Sequence, residues 1–230
     1  LDRFSAERFV ARLRNGGLWL RVPGDGRPNP AVILGGAGTT LEELVAAYTA
    51  FARAGLAGRL RYTADEPVRE RYMLSPGAAW IVRDVLEKNR RPDLPFGALD
   101  LSAARQVAWK TGTSYGFRDA WAIGVTDRYT IGVWVGRPDG TPSPGQYGAV
   151  TAAPILFDIV DGLPGRELWS DRPARPASVR EAAICWPLGQ SEEPGGGHLC
   201  HEKRTAWALN NVIPPTLPDR GQTQWVGGRV

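Results

Sequence analysis

The spacing of apolar and polar residues along the chain changes near residue 100. Upstream, apolar positions recur three and four apart. In "AGTTLEELVAAYTAFARAG" this puts Leu41, Leu44, Val45, Tyr48 and Phe51 on one helical face. Thr40 followed by Glu43 forms a capping box, in which hydroxyl and carboxylate each accept a backbone N–H that the helix leaves free. Gly55 is placed to stop that helix in the left-handed conformation. "SPGAAWIVRDVLEKN" predicts a second helix, with Ser75 as cap, Pro76 in the first turn, and Ala78, Ile81, Val82, Val85 and Leu86 as its buried stripe. A shorter helix, "SAERFVARLRNGG", ends at Gly16-Gly17.

Downstream of Asp100 the period becomes that of strands. "RQVAWKTGT", "DAWAIGVT" and "YTIGVWVG" are rich in Val, Ile, Trp and Thr, and the last two are joined through Asp127-Arg128 as an antiparallel hairpin. Gly124 and Gly132 inside these runs imply another element pressed close over that face. A Gly/Pro-rich loop, "GRPDGTPSPGQYG", leads to a short helix, "PILFDIVDGL", opened by Pro154. Residues 164–178 read as a Pro- and Arg-rich linker. The remainder, 179–230, reads as a small β-rich module cut short at Val230. Helices followed by antiparallel strands make the first 163 residues an α+β domain.

Composition narrows the picture only a little. Hydrophobic residues make up 43% and charged residues 23%, as in folded globular chains. The net charge of +4 is modest and scattered, without the dense basic run a nucleic-acid partner needs. Neither a membrane-spanning stretch nor a secretory signal is present, and the chain opens on Leu1 with Met73 as its sole methionine. A piece of a longer protein is therefore expected.

Against this background one residue stands out. Of 28 Lys plus Arg only Lys88, Lys110 and Lys203 are lysine, and Lys110 lies mid-strand in "VAWKTGTSYGFRD". Alternation sets Val107, Trp109, Thr111 and Thr113 on one face and Ala108 and Lys110 on the other. A cation on such a strand demands a wet, polar cleft. Gly112 leaves the strand bare where a ligand backbone could lie, and Thr113 and Ser114 add uncharged hydroxyl donors. The stretch suits a peptide-like carbonyl and a carboxylate beside one cation.

"KTGTSYGFRDAWAIGVTDRYTIGVWVGRPDG" resembles the third active-site motif, and the two strands after it, of the class A penicillin-binding proteins. "ILGGAGTTLEELVAAYTAFARAG" is similar to the helix ahead of that strand. "AICWPLGQ" with its second cysteine resembles the small C-terminal module of one type within the family. The resemblance covers nearly the whole chain. It implies part of a penicillin-binding protein/β-lactamase-like transpeptidase domain, an acyltransferase of peptidoglycan synthesis working without a cofactor or metal. Lys110 would polarise the nucleophile's proton network, and the Thr113 N–H would be one of two oxyanion donors. Thr111, Gly112, Thr113 and Ser114 would bind substrate, the Thr113 and Ser114 hydroxyls holding its carboxylate; Asp119 and Trp121 are structural first. Implied partners are stem peptides, lipid-linked precursors and β-lactams, with other envelope proteins in addition. The implied location is the periplasmic face of the bacterial inner membrane, reached through an anchor outside this chain.

The departure from the family is as plain as the match. No serine here is followed by Lys at the third position or by Asn at the second, so the S-x-x-K nucleophile motif and S-x-N are both missing. Alone, the chain is expected to be inactive, one wall of a site. A rival reading makes it a non-catalytic interaction module of the cell envelope; a β-lactam hydrolase fits less well, for want of a deacylating base. Cys185 and Cys200 are the two cysteines and are candidates for a disulfide. Zinc binding by these with His198 and His201 follows no common ligand spacing. Trp169, Trp186, Trp207 and Trp225 are expected as core aromatics of the module, with sugar stacking as the alternative.

Overall fold

Helix starts follow the sequence closely in the structure, a computed structural model that describes residues 4–92, 107–164, 173–186, 190–191 and 202–213. Ser5 accepts from the Arg8 N–H and opens α1 (Ala6–Asn15), which Gly16 and Gly17 end. Thr40 accepts from the Glu43 N–H, the Glu43 carboxylate accepts from the Thr40 N–H, and α2 (Leu41–Ala52) begins. After it the chain turns at Ala54 and Gly55, both with positive φ, into the short antiparallel pair β1 (Leu56–Gly58) and β2 (Glu70–Tyr72). Gly55 is obligatory: a Cβ there would lie 2.1 Å from the Leu74 carbonyl oxygen.

Helix α3 (Pro76–Glu87) is capped by Ser75 as its sequence demands, but it buries a different face. Ala79, Trp80, Arg83 and Asp84 are buried, while Val82 and Val85 face out, Val85 with 56% exposure. Charge pairing permits this face to turn inward. Arg83 Nε donates to Glu87 at 2.6 Å with both side chains only 3% exposed, and Lys88 pairs with Asp84 at 2.7 Å. Paired one turn apart, charged groups can enter an interior that would reject them singly.

The central sheet is antiparallel in the order β3 (Ala108–Thr113), β4 (Asp119–Val125), β5 (Thr130–Gly136). Helix α4 (Gly148–Gly162) packs on the face bearing Val107, Trp109, Ala122 and Val133, forming the main core with Leu156, Phe157 and Val160. Gly124 and Gly132 admit helices on opposite faces of the sheet, where one face was expected. Gly124 lies under Leu156 of α4, and Gly132 under Leu41 and Val45 of α2. Helix α4 also starts six residues before Pro154. A proline there removes a bond to the Val150 carbonyl, and Val150 is half exposed, so water can take that acceptor.

The chain divides into two units, Leu1–Ala174 and Arg175–Val230. In the second, β6 (Val179–Trp186) pairs antiparallel with both β7 (Gln190–Ser191) and β8 (Glu202–Leu209). Val179 and Ala208 are its buried positions among the described residues. Trp186 is not the core aromatic the sequence suggested: it is 44% exposed with the Arg204 guanidinium 4.7 Å from its ring, and Arg175 lies 5.3 Å from the Trp207 ring. Trp169, Trp225, His198, Cys200 and His201 lie outside the described residues, as does most of the 164–178 linker.

Candidate functional site

The candidate site is the outer edge of β3. Ser114 donates its N–H to the Asp119 carbonyl across the β3–β4 ladder at 3.0 Å. Backbone groups alternate along a strand, so Gly112 and Lys110 also bond inward to β4, and the N–H and C=O of Trp109, Thr111 and Thr113 turn outward. At Trp109 this edge is closed. The Asn89 side chain, just beyond α3, donates to the Trp109 carbonyl at 2.9 Å, and the Trp109 indole N–H donates back to the Asn89 carbonyl at 3.1 Å. From Thr111 to Thr113 the edge carries no other element among the described residues.

Lys110 leaves the strand on the side opposite α4, and its Nζ bends round to donate to the outward carbonyl of Thr111. The ammonium and the outward N–H of Thr113 therefore share one edge. Gly112 lies between them. A Cβ there would meet nothing closer than Trp121 Cβ at 3.6 Å, an ordinary contact, so packing does not require glycine at this position. Trp121 and Trp134 lie across from it on β4 and β5 with ring centroids 6.2 Å apart, and Asp119 accepts from the Trp134 indole at 2.9 Å. Asp119 and Trp121 thus form a packed floor.

The hydroxyls of Thr113 and Ser114 are not placed alike. Ser114 Oγ accepts from the Asp119 N–H at 2.9 Å and fixes the turn between β3 and β4. Thr113 points to the α4 side, where its Oγ1 accepts from the Gly148 N–H at 3.1 Å. Thr111 shares that face. Asn89 and Gly148 were not singled out in the sequence: an Asn after a helix end and a Gly in a Gly/Pro-rich loop carry no local signal of contact with a strand some twenty or more residues away. Cys185 is not a free thiol. A cavity of about 740 Å³ lies elsewhere, between α1, α2 and the β1–β2 pair, with Arg14, Trp19, Glu43 and Arg69 in its walls and none of Lys110 to Ser114.

The α+β arrangement has a counterpart of known structure. It superposes on the crystal structure of penicillin-binding protein 1A from Haemophilus influenzae with a TM-score of 0.60 at 18% identity, over 92% of this chain and 37% of that one. This likeness carries the fold alone: the chain has the fold of part of a penicillin-binding protein. Sequence goes further. Penicillin-binding protein 1C of Escherichia coli is 50% identical over 94% of this chain, and penicillin-binding protein 1A of Clostridium botulinum is 32% identical over 64% of it. Residues 178–208 match the penicillin-binding protein 1C linker domain. The chain belongs to the penicillin-binding protein family, and within it to the 1C type. It spans 28% of the length of the E. coli relative and 18% of the C. botulinum one.

Proposed function

We propose that the chain supplies the K-T-G wall of a peptidoglycan DD-transpeptidase site at the periplasmic face of the inner membrane. A serine outside these residues, in an S-x-x-K motif, would complete the site. The observation that carries this reading is the shared outer edge: the Lys110 ammonium, bare Gly112 and the outward Thr113 N–H follow one another along a strand edge left uncovered between Thr111 and Thr113.

In the reaction the serine Oγ bonds to the carbonyl carbon of the penultimate D-Ala of a stem peptide. The tetrahedral oxyanion accepts from the Thr113 N–H. The C–N bond to the terminal D-Ala breaks, and the serine's proton leaves on that amine. An amine of a neighbouring stem peptide then attacks the ester, forming an amide and returning a proton to the serine. Lys110 holds positive charge beside the serine's proton network. The Thr111 and Thr113 hydroxyls face the terminal carboxylate, while Ser114 acts through the turn it fixes. A β-lactam would acylate the same serine by opening its ring.

In the second unit we propose that Cys185 pairs with Cys200, bracing the module. The test of the main reading is intact mass after incubation with benzylpenicillin, on this chain and on the protein extended upstream through its S-x-x-K serine. An adduct on the extended protein alone is expected. No adduct on either would defeat the acyl-transfer reading in favour of a non-catalytic envelope module.

A further inference from the structure

The contact between Thr113 and α4 gives that helix a part in the site. Four N–H groups at the start of any helix lack an intrahelical partner. At α4 Tyr147 offers no side-chain cap, and the first of these groups, the Gly148 N–H, donates instead to Thr113 Oγ1 at 3.1 Å. A hydroxyl has one hydrogen to donate and two sites to accept with. With one acceptor site taken by a helix N–H, the oxygen is polarised and its hydrogen becomes a stronger donor. Thr113 is exposed, so that hydrogen can reach a ligand.

The helix can come this close because residue 148 has no side chain. A Cβ there would lie 2.6 Å from both the Gly112 and the Trp121 carbonyl oxygens and 3.0 Å from Thr111 Cβ. The two oxygens are backbone atoms of the site strand and its neighbour, which cannot swing aside. A side chain at 148 must push α4 off β3 and lengthen the bond to Thr113.

We infer that Gly148 is a positioning residue for substrate recognition: through its N–H it sets the Thr113 hydroxyl as a donor tuned to a carboxylate, so that the site favours an anionic over a neutral acyl donor. This rests on the transpeptidase reading above. It makes a selectivity determinant of a helix start lying 35 residues beyond the strand it serves.

The test uses the complete protein carrying the upstream serine, with benzylpenicillin and its methyl ester as acyl donors, differing in a free or masked carboxylate. Acylation rates are followed by intact mass. In the wild type the free acid should react faster. Gly148→Ala should reduce the ratio of the two rates by roughly tenfold, Thr113→Val should do the same, and Thr113→Ser should keep it. The double variant should show no lower ratio than Thr113→Val. Equal slowing of both donors by Gly148→Ala would mean a merely structural role and overturn the inference. Should that variant fail to fold, hydrogen exchange at the Gly148 amide of the wild type decides. It should slow on acylation by the free acid and not by the ester; an unchanged exchange rate overturns the proposal. A wild type that neither donor acylates is a different result, seen before any variant is made, and defeats the acyl-transfer reading itself.

Discussion

Gly112 and Gly132 are both glycines of the central sheet, yet what surrounds them differs. At Gly132 a Cβ would lie 2.5 Å from Val45 and 2.7 Å from Leu41, so α2 packs onto the sheet only because that side chain is missing. At Gly112 there is room for one. Gly132→Ala should therefore cost about 1–3 kcal/mol by overpacking, read from denaturant unfolding. Gly112→Ala should leave stability within about 1 kcal/mol, yet slow penicillin acylation of the complete protein roughly tenfold or more by displacing the acyl donor from the edge. A fully reactive Gly112→Ala protein would show that the bare position serves nothing in binding. The lysine is informative for the same reason: an exposed cation beside an unhindered glycine stabilises little in the fold, so residue type alone marks it as a candidate for chemistry. The Thr113–Gly148 bond was not legible, because it joins residues with no periodic relation and depends on how closely a helix approaches a strand.

At the scale of elements, helix caps were the most readable features, since they depend on residues three apart. The box at α2 has an electrostatic consequence. The Arg21 guanidinium, hydrogen-bonded to Glu43 at 2.7 and 3.1 Å, is the main cause holding the Glu43 carboxyl down to about 2 from its ordinary 4.5; the Thr40 N–H and the Thr39 hydroxyl add to the effect. A carboxyl depressed on folding contributes stability that is complete above its unfolded value and is lost as pH falls through its folded one. Between pH 4.5 and about 2 the first unit should thus lose stability, and Glu43→Gln should flatten that part of the thermal midpoint against pH. An unaltered slope would assign the acid sensitivity to other carboxyls. The face of α3 was read wrongly from its valines because Arg83 and Glu87 are buried as a pair. Arg83→Met, which removes the cation hydrogen-bonded to the buried Glu87 carboxylate, should cost about 3–5 kcal/mol, whereas Val85→Thr on the exposed face should cost well under about 1 kcal/mol. Similar losses for the two would restore the stripe that the apolar pattern suggested. The start of α4 is hidden for a related reason: Pro154 looks like a helix opening, yet the helix runs through it, and Val150, whose carbonyl loses its helix partner there, is a half-exposed residue.

Over the whole molecule, the two units rest on different sources of stability. The first has a sheet covered by helices on both faces and a core built around Leu156, Phe157 and Val160. The second, over its described residues, has a three-stranded sheet whose buried positions are Val179 and Ala208, with both described tryptophans beside arginines rather than packed as a core. A unit of this size has little room for an apolar core, which leaves a large share of stability to a cross-link. Cys185 sits near the end of β6, opposite Gln190 of β7, and the proposed bond to Cys200 would close a loop of about 15 residues, for which the chain-entropy model gives about 3 kcal/mol. Reduction should therefore lower the stability of the second unit by that order, and with it its melting temperature, and leave the first unit's transition in place, because the first unit contains no cysteine. Peptide mapping without reductant should recover Cys185 joined to Cys200. A second unit that melts identically with and without reductant would mean its strands and arginine-covered tryptophans suffice, and the cross-link would then have to be explained by something other than stability.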